Sequence, residues 1–148
     1  MRIQMTEMKR SSLVKPTLDT PFHIDFSWWQ QTDREWRVYL RSLLCREHQE
    51  SYADIEADEK IDWIDPETAE VHEVDGLQHV LISHCSQREN FLEEHTALVE
   101  AIFRLFMQNG NTPMNVQEIA DKLNRPALPI LKTLSGQRVY RGMRPILD

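Results

Sequence analysis

Residues 96–136 read TALVEAIFRLFMQNGNTPMNVQEIADKLNRPALPILKTLSG, and the fold turns on how this stretch divides. Leu98, Val99, Ile102, Phe103, Leu105 and Phe106 form an apolar face broad enough to bury most of a helix, and Asn109-Gly110 supplies the stop such a helix needs. Asn115-Val116-Gln117-Glu118 is a capping box, in which the asparagine caps and the glutamate three residues on reaches back. A short amphipathic helix follows through Ile119, Ala120 and Leu123, until Asn124-Arg125-Pro126 breaks it. Ala120 is small enough to let a second helix cross closely. Proline is tolerated only in a first turn, so Pro129 sets the start of a third helix near Leu128. Ile130, Leu131 and Leu134 then face inward, and Ser135-Gly136 ends it.

In the tail, Val139-Tyr140, Arg141-Gly142 and Met143 predict a two-strand wing turning at Gly142. Pro145 would lie on its edge strand, where a missing donor does no harm. Three helices and a short wing resemble the winged-helix branch of the helix-turn-helix superfamily over about residues 96–147, and NVQEIADKL is similar to the first helix of many bacterial units of this kind. The resemblance implies that the helix after the turn enters the major groove of double-stranded DNA. It would present Lys132 and Thr133, with Arg125 at its start. The wing would bring Gln137, Arg138, Arg141 and Arg144 to phosphate or the minor groove. The expected function is therefore a small nucleic-acid-binding, transcription-regulator-like protein. The third helix is nonetheless short and rich in leucine and proline, which leaves few side chains for base edges. The alternative is a non-enzymatic adaptor whose helical unit and exposed aromatics hold another protein, since fold does not fix function.

Upstream the chain is less regular. Residues 1–20 read as a flexible arm, residues 21–90 as an α+β region with an acidic segment, and residues 91–148 as the winged-helix-like unit. Phe22-His23-Ile24-Asp25-Phe26 alternates as a short strand does, with Trp28 and Trp29 anchoring it; on an extended chain only one of the two tryptophans could face inward. Asp33 can cap a helix through about Gln49, with Trp36, Tyr39, Leu40, Leu43 and Leu44 buried. Arg34, Arg37 and Arg41 lie opposite, solvated or paired with acidic groups. Ile61–Ile64 and Glu70–Val74 flank the turn Asp65-Pro66-Glu67-Thr68 and predict a small β-hairpin. Asp75 then caps a helix from Gly76 to about Ser86, with Leu77, Val80, Leu81 and His84 inward. The fold class is thus α+β and mostly α, an N-terminal helix and small β-hairpin packed with a C-terminal three-helix unit.

With 148 residues, 41% of them hydrophobic, and four tryptophans, the chain has the means for a real core and not the composition of a disordered protein. No apolar run of about 18 residues is present, so no membrane partner is expected, and Met1 to Lys15 lacks the apolar stretch of a secretory signal. The expectation is a cytoplasmic protein, with a homodimer through the Leu98–Phe106 helix left open. The net charge of −7 is uneven: residues 46–79 carry twelve acidic and two basic groups, whereas residues 111–148 carry six basic and three acidic ones. A globally acidic chain is a poor generic binder of phosphate backbone, but a basic module can bind because the local field decides. The acidic block reads as solvated surface, or as a face for a basic partner.

Two cysteines are too few for a disulfide framework. Cys45 and His48 stand three apart, which puts them on one side of a helix, and His84-Cys85 offers a second thiol and imidazole. Two Cys and two His satisfy tetrahedral zinc, and thiolate with imidazole favours zinc over calcium or magnesium. One condition applies. In a continuous helix His84 and Cys85 point about 100° apart, so both can ligate only if the helix ends there; His79 or His23 could substitute. The competing reading makes both cysteines small buried residues and His84 a satisfied core histidine, since free cysteine is commonly buried. The cofactor expectation is accordingly none, or a structural zinc. A catalytic Cys–His pair would need an oxyanion site, and no glycine-rich turn adjoins either cysteine. With no phosphate-cradling loop and no serine elbow, no enzyme is expected.

Overall fold

The computed structural model describes residues 15–51, 60–64 and 66–147, which form an α+β fold made mostly of helix. In chain order these are β1 (Pro21–Ile24), α1 (Phe26–Thr32), α2 (Trp36–Ser42), α3 (Arg46–Ser51), β2 (Lys60–Ile64), β3 (Val71–Asp75), α4 (Gly76–Ser83) and a single 3-10 turn (Cys85–Gln87). They continue as α5 (Leu98–Gln108), β4 (Met114–Asn115), α6 (Val116–Leu123), α7 (Ala127–Leu134) and β5 (Met143–Pro145). Most of the expected arm and of the acidic linker lies outside the described residues.

The three-helix stretch divides as its punctuation predicts. Helix α5 buries Ala101, Ile102, Phe103, Leu105, Phe106 and Met107, so it is the central core helix. Asn109 caps it, and Gly110 follows at φ +71°. The capping box is complete: Glu118 N–H donates to Asn115 Oδ1 at 2.8 Å, and Asn115 N–H donates to Glu118 Oε1 at 3.0 Å. Asn124 ends α6 in the left-handed region, and Pro126 precedes α7, which carries Pro129 in its first turn.

The two-strand wing does not form. Residues 135–142 contain no strand, and β5 pairs with β1. The sheet runs β4-β1-β5, antiparallel throughout, with the N-terminal strand in the middle. The reason is packing around Trp29. Gly142, at φ +73°, brings the tail against that side chain and accepts a 2.8 Å hydrogen bond from Asp25 N–H, which directs Met143 into register with Ile24. Pro145 does fall on an edge strand, as expected of it. Phe22 and Ile24 alternate into the core, where each is at most 1% exposed.

Asn111 fastens β1 from the other side. Its Oδ1 accepts from Ile24 N–H at 2.8 Å, and its Nδ2 donates to Ile24 O at 2.9 Å, so one side-chain amide does what a neighbouring strand would do. Asn111 has φ +62°. Asn111→Gly keeps that backbone comfortable and deletes the amide, leaving two part-buried peptide groups unpaired; the expected loss is about 2 kcal/mol in urea unfolding. A loss below about 0.5 kcal/mol would show the clamp to be idle.

The N-terminal helices differ from the sequence expectation. The segment after Ile24 is helical because Asp25 caps it, its Oδ1 accepting from Trp28 N–H at 3.1 Å. Trp29 is therefore buried and Trp28 only partly so. Trp29 sits at the centre of an aromatic cluster, with Phe103 at 5.5 Å, Tyr39 and Phe26 at 6.1 Å and Trp36 at 6.2 Å between ring centroids. Asp33 does not start a long helix. Its carboxylate bridges Trp29 Nε1 at 3.0 Å and Glu35 N–H at 2.9 Å. The single helix expected from Asp33 to Gln49 is two helices, α2 and α3, broken at Leu43–Cys45. Leu43 and Leu44, at the break, are both buried.

The hairpin forms as read, with pairs from Lys60↔Asp75 to Ile64↔Val71. Asp75 caps α4 through Gln78 N–H at 3.0 Å and also takes Arg37 at 2.6 Å, which ties α2 to α4. Helix α4 stops at Ser83 and not near Ser86. Among the described residues, no helix is long and apolar enough to cross a membrane.

Candidate metal centre

The two helix breaks converge on one point. Cys45 lies in the gap between α2 and α3, and its carbonyl accepts Gln49 N–H at 2.9 Å, so that His48 is on its side of the first turn of α3. On the other element His84 leaves helical geometry (φ −128°, ψ −63°) before the 3-10 turn begins at Cys85. That kink meets the condition under which neighbouring His84 and Cys85 can both ligate. Ser86, fully buried, fixes the turn to the core through hydrogen bonds to Ile82 O at 2.8 Å and Met107 O at 3.3 Å.

The outcome is a closed group of four ligand atoms from Cys45, His48, His84 and Cys85, all within 4.8 Å of one another. Cys45 Sγ stands 3.4 Å from Cys85 Sγ, 3.0 Å from His48 Nδ1 and 3.8 Å from His84 Nδ1, and Cys85 Sγ is 3.6 Å from His48 Nδ1. Bond lengths of about 2.3 Å to sulfur and about 2.0–2.1 Å to nitrogen give a tetrahedral zinc site edges of about 3.8 Å between sulfurs and about 3.5 Å from sulfur to nitrogen. The sulfur–nitrogen distances bracket that value and the sulfurs lie 3.4 Å apart, slightly closer than the ideal, so the group can hold a metal ion with little rearrangement. The imidazoles of His48 and His84 meet edge to face, 4.5 Å between centroids. Cys85 is buried, Cys45 and His48 are half-buried, and His84 is exposed. His84 is therefore neither on an inward helix face nor a core histidine.

Burial pushes both thiols up. At Cys45 the hydrogen bonds with His48 and Cys85 outweigh it and bring the thiol down to about 6. At Cys85 burial prevails, reinforced by Cys45 alongside, and the thiol lies at about 11. One sulfur is thus ready as thiolate at neutral pH, and the second gives up its proton when a cation arrives.

Of the residues expected to meet nucleic acid, four take partners within the fold. The Arg125 guanidinium donates to the carbonyls of Glu94 at 3.1 Å and Thr96 at 2.5 Å, tying the loop before α5 to the turn after α6. Arg141 stacks on Tyr39, 3.9 Å from the ring centroid. The Tyr39 phenol is pushed up to about 12, first by burial and then by Glu100, against the pull of Arg141 and Arg104. Arg144 pairs with Asp25 at 3.1 Å and lies over Trp28. Thr133 turns its hydroxyl back to Pro129 O at 2.9 Å. Lys132, Gln137 and Arg138 are exposed, Arg138 over Tyr140.

No protein-family model, curated protein or solved structure matches the chain. The site is therefore read from its own chemistry.

Proposed function

We propose that Cys45, His48, His84 and Cys85 hold one structural zinc ion, and that the chain is a zinc-fastened, non-enzymatic adaptor working in a reducing compartment. The observation that carries the metal reading is the closed group of four ligand atoms within 4.8 Å. Two sulfurs favour zinc over oxygen-seeking cations, and four protein ligands leave no open position for a reacting water. The ion would join the α2–α3 break to the end of α4, two segments about 40 residues apart. The adaptor reading draws support from α7: Leu128 on that helix is 72% exposed, and Pro126 and Pro129 beside it are exposed too. Such a face suits another protein better than base edges. Protein purified without chelator should carry close to one equivalent of zinc by elemental analysis. Cobalt exchanged into it should show the thiolate charge-transfer and strong visible bands of a tetrahedral sulfur–nitrogen site. Less than about half an equivalent, with no such spectrum, would end the assignment.

Duplex DNA is the second reading, favoured by the exposure of Lys132, Gln137 and Arg138 within seven residues. With two cations reaching phosphate, log K should fall against log salt with a slope of about −2. Binding at low salt that a Lys132→Ala/Arg138→Ala variant retains unchanged would remove that reading.

A further inference from the structure

Two sulfurs that share a zinc site from separate segments are also a disulfide waiting for an oxidant. Cys45 Sγ and Cys85 Sγ are 3.4 Å apart, close enough that a bond needs only a small approach. The two are unequal in access: Cys45 is half-exposed beside exposed His84, whereas Cys85 is 0% exposed. The segments they fasten are unequal as well. Cys85 lies in a turn anchored by buried Ser86 against α5. Helix α3, which carries His48, buries none of its six residues and so has no apolar anchor of its own. A six-residue helix does not persist unsupported in water.

We propose that a hydroperoxide converts the site from a zinc clasp into a Cys45–Cys85 disulfide, expelling the ion and releasing α3 from the body of the fold. This rests on the zinc reading. The first step falls to the accessible sulfur. The Cys45 thiolate attacks one oxygen of hydrogen peroxide, the O–O bond breaks, and the departing hydroxide takes a proton to become water, leaving Cys45 as sulfenic acid. The Cys85 thiolate then attacks that sulfur. An S–S bond forms, the S–O bond breaks, and the second hydroxide leaves as water after protonation. Two thiolates have lost two electrons, the peroxide has gained them with two protons, and zinc departs as the unchanged divalent ion because two imidazoles alone hold it weakly. The segment carrying Cys45 stays tethered through the new bond, and His48 loses the ion that fixed α3.

The test uses the zinc-loaded full chain, titrated with hydrogen peroxide in the presence of a colorimetric zinc indicator. Release of one equivalent should accompany loss of about 2 Da from the reduced polypeptide and appearance of a Cys45–Cys85 cross-linked peptide. Dithiothreitol with added zinc should reverse all three changes. Hydrogen exchange read by mass spectrometry should quicken by about tenfold or more in residues 46–51 while residues 98–108 hold their protection. Retained zinc, cross-links between molecules, oxidation to sulfinic acid without a cross-link, or unaltered exchange over 46–51 would each overturn the proposal. Zinc content before treatment separates the two ideas. A protein that takes up no zinc ends the metal reading, whereas a zinc-loaded protein that forms no cross-link ends the switch and leaves the metal reading standing.

Discussion

In excess chelator the protein should melt about 8–16 °C lower than with zinc present. An ion that binds only the folded chain stabilises it by about 4 kcal/mol when free metal stands a thousandfold above its dissociation constant. For a chain of this size each kcal/mol is worth about 2–4 °C. The fold has a core of its own around Trp29, Phe103 and Phe106, so removal of the ion should lower the transition and not abolish it. His84→Ala is the informative variant because His84 is exposed, and deleting it forfeits no core packing. In zinc it should melt well below the wild type. In chelator the two should converge to within about 0.5 kcal/mol, the scale of an ordinary surface change. A wild type indifferent to chelator, or a variant equally impaired with and without metal, would deny the ion its fastening role.

Gly142→Ala should cost about 2–5 kcal/mol, a large share of the stability of such a domain. Two penalties combine. At φ +73° an L side chain is strained by about 1–2 kcal/mol. A Cβ there would also stand 2.7 Å from Trp29 Cβ and 3.2 Å from the Asp25 carbonyl, atoms with no freedom to swing aside, and such overpacking adds about 1–3 kcal/mol. Gly110→Ala separates the two, because Gly110 has nearly the same φ, +71°, with nothing within 4 Å of the added atom. It should cost only about 1–2 kcal/mol. Equal losses at the two positions in denaturant titrations would mean that the contact with Trp29 has no weight.

What could be read in advance was what neighbours in sequence decide. The capping box at Asn115, the Asn109-Gly110 stop, the break before Pro126 and the turn after Ile64 all rest on groups within a few residues of one another, and all formed. What was missed depends on distant partners. The tail has no hairpin because its strand is completed by residues 21–24, which no local pattern indicates. The tryptophan pair is helical because Asp25 caps it, a signal present in the sequence but obscured by the alternation just before it. The metal group was recognisable by residue type. The competing reading as buried thiols and a core histidine holds for Cys85, which is buried, and not for His84, which is exposed, because the ends of α2 and α4 turn four side chains toward one another. The partners that the C-terminal arginines take within the fold are likewise not indicated by composition. Arg125, Arg141 and Arg144 turn out to hold carbonyls, a tyrosine ring and a carboxylate within the fold.

The central position of β1 has a consequence for how the protein is made. Phe22 pairs with Met114 on one side and Pro145 on the other. During translation at about 5–20 residues per second, this strand waits several seconds for its first neighbour and longer for its second. Throughout that interval two apolar side chains meant for the interior, Phe22 and Ile24, have no sheet to join. The nascent chain therefore presents a short sticky segment early and can bury it only late, which makes this stretch a natural client for a holding chaperone and a weak point wherever synthesis stalls before residue 143.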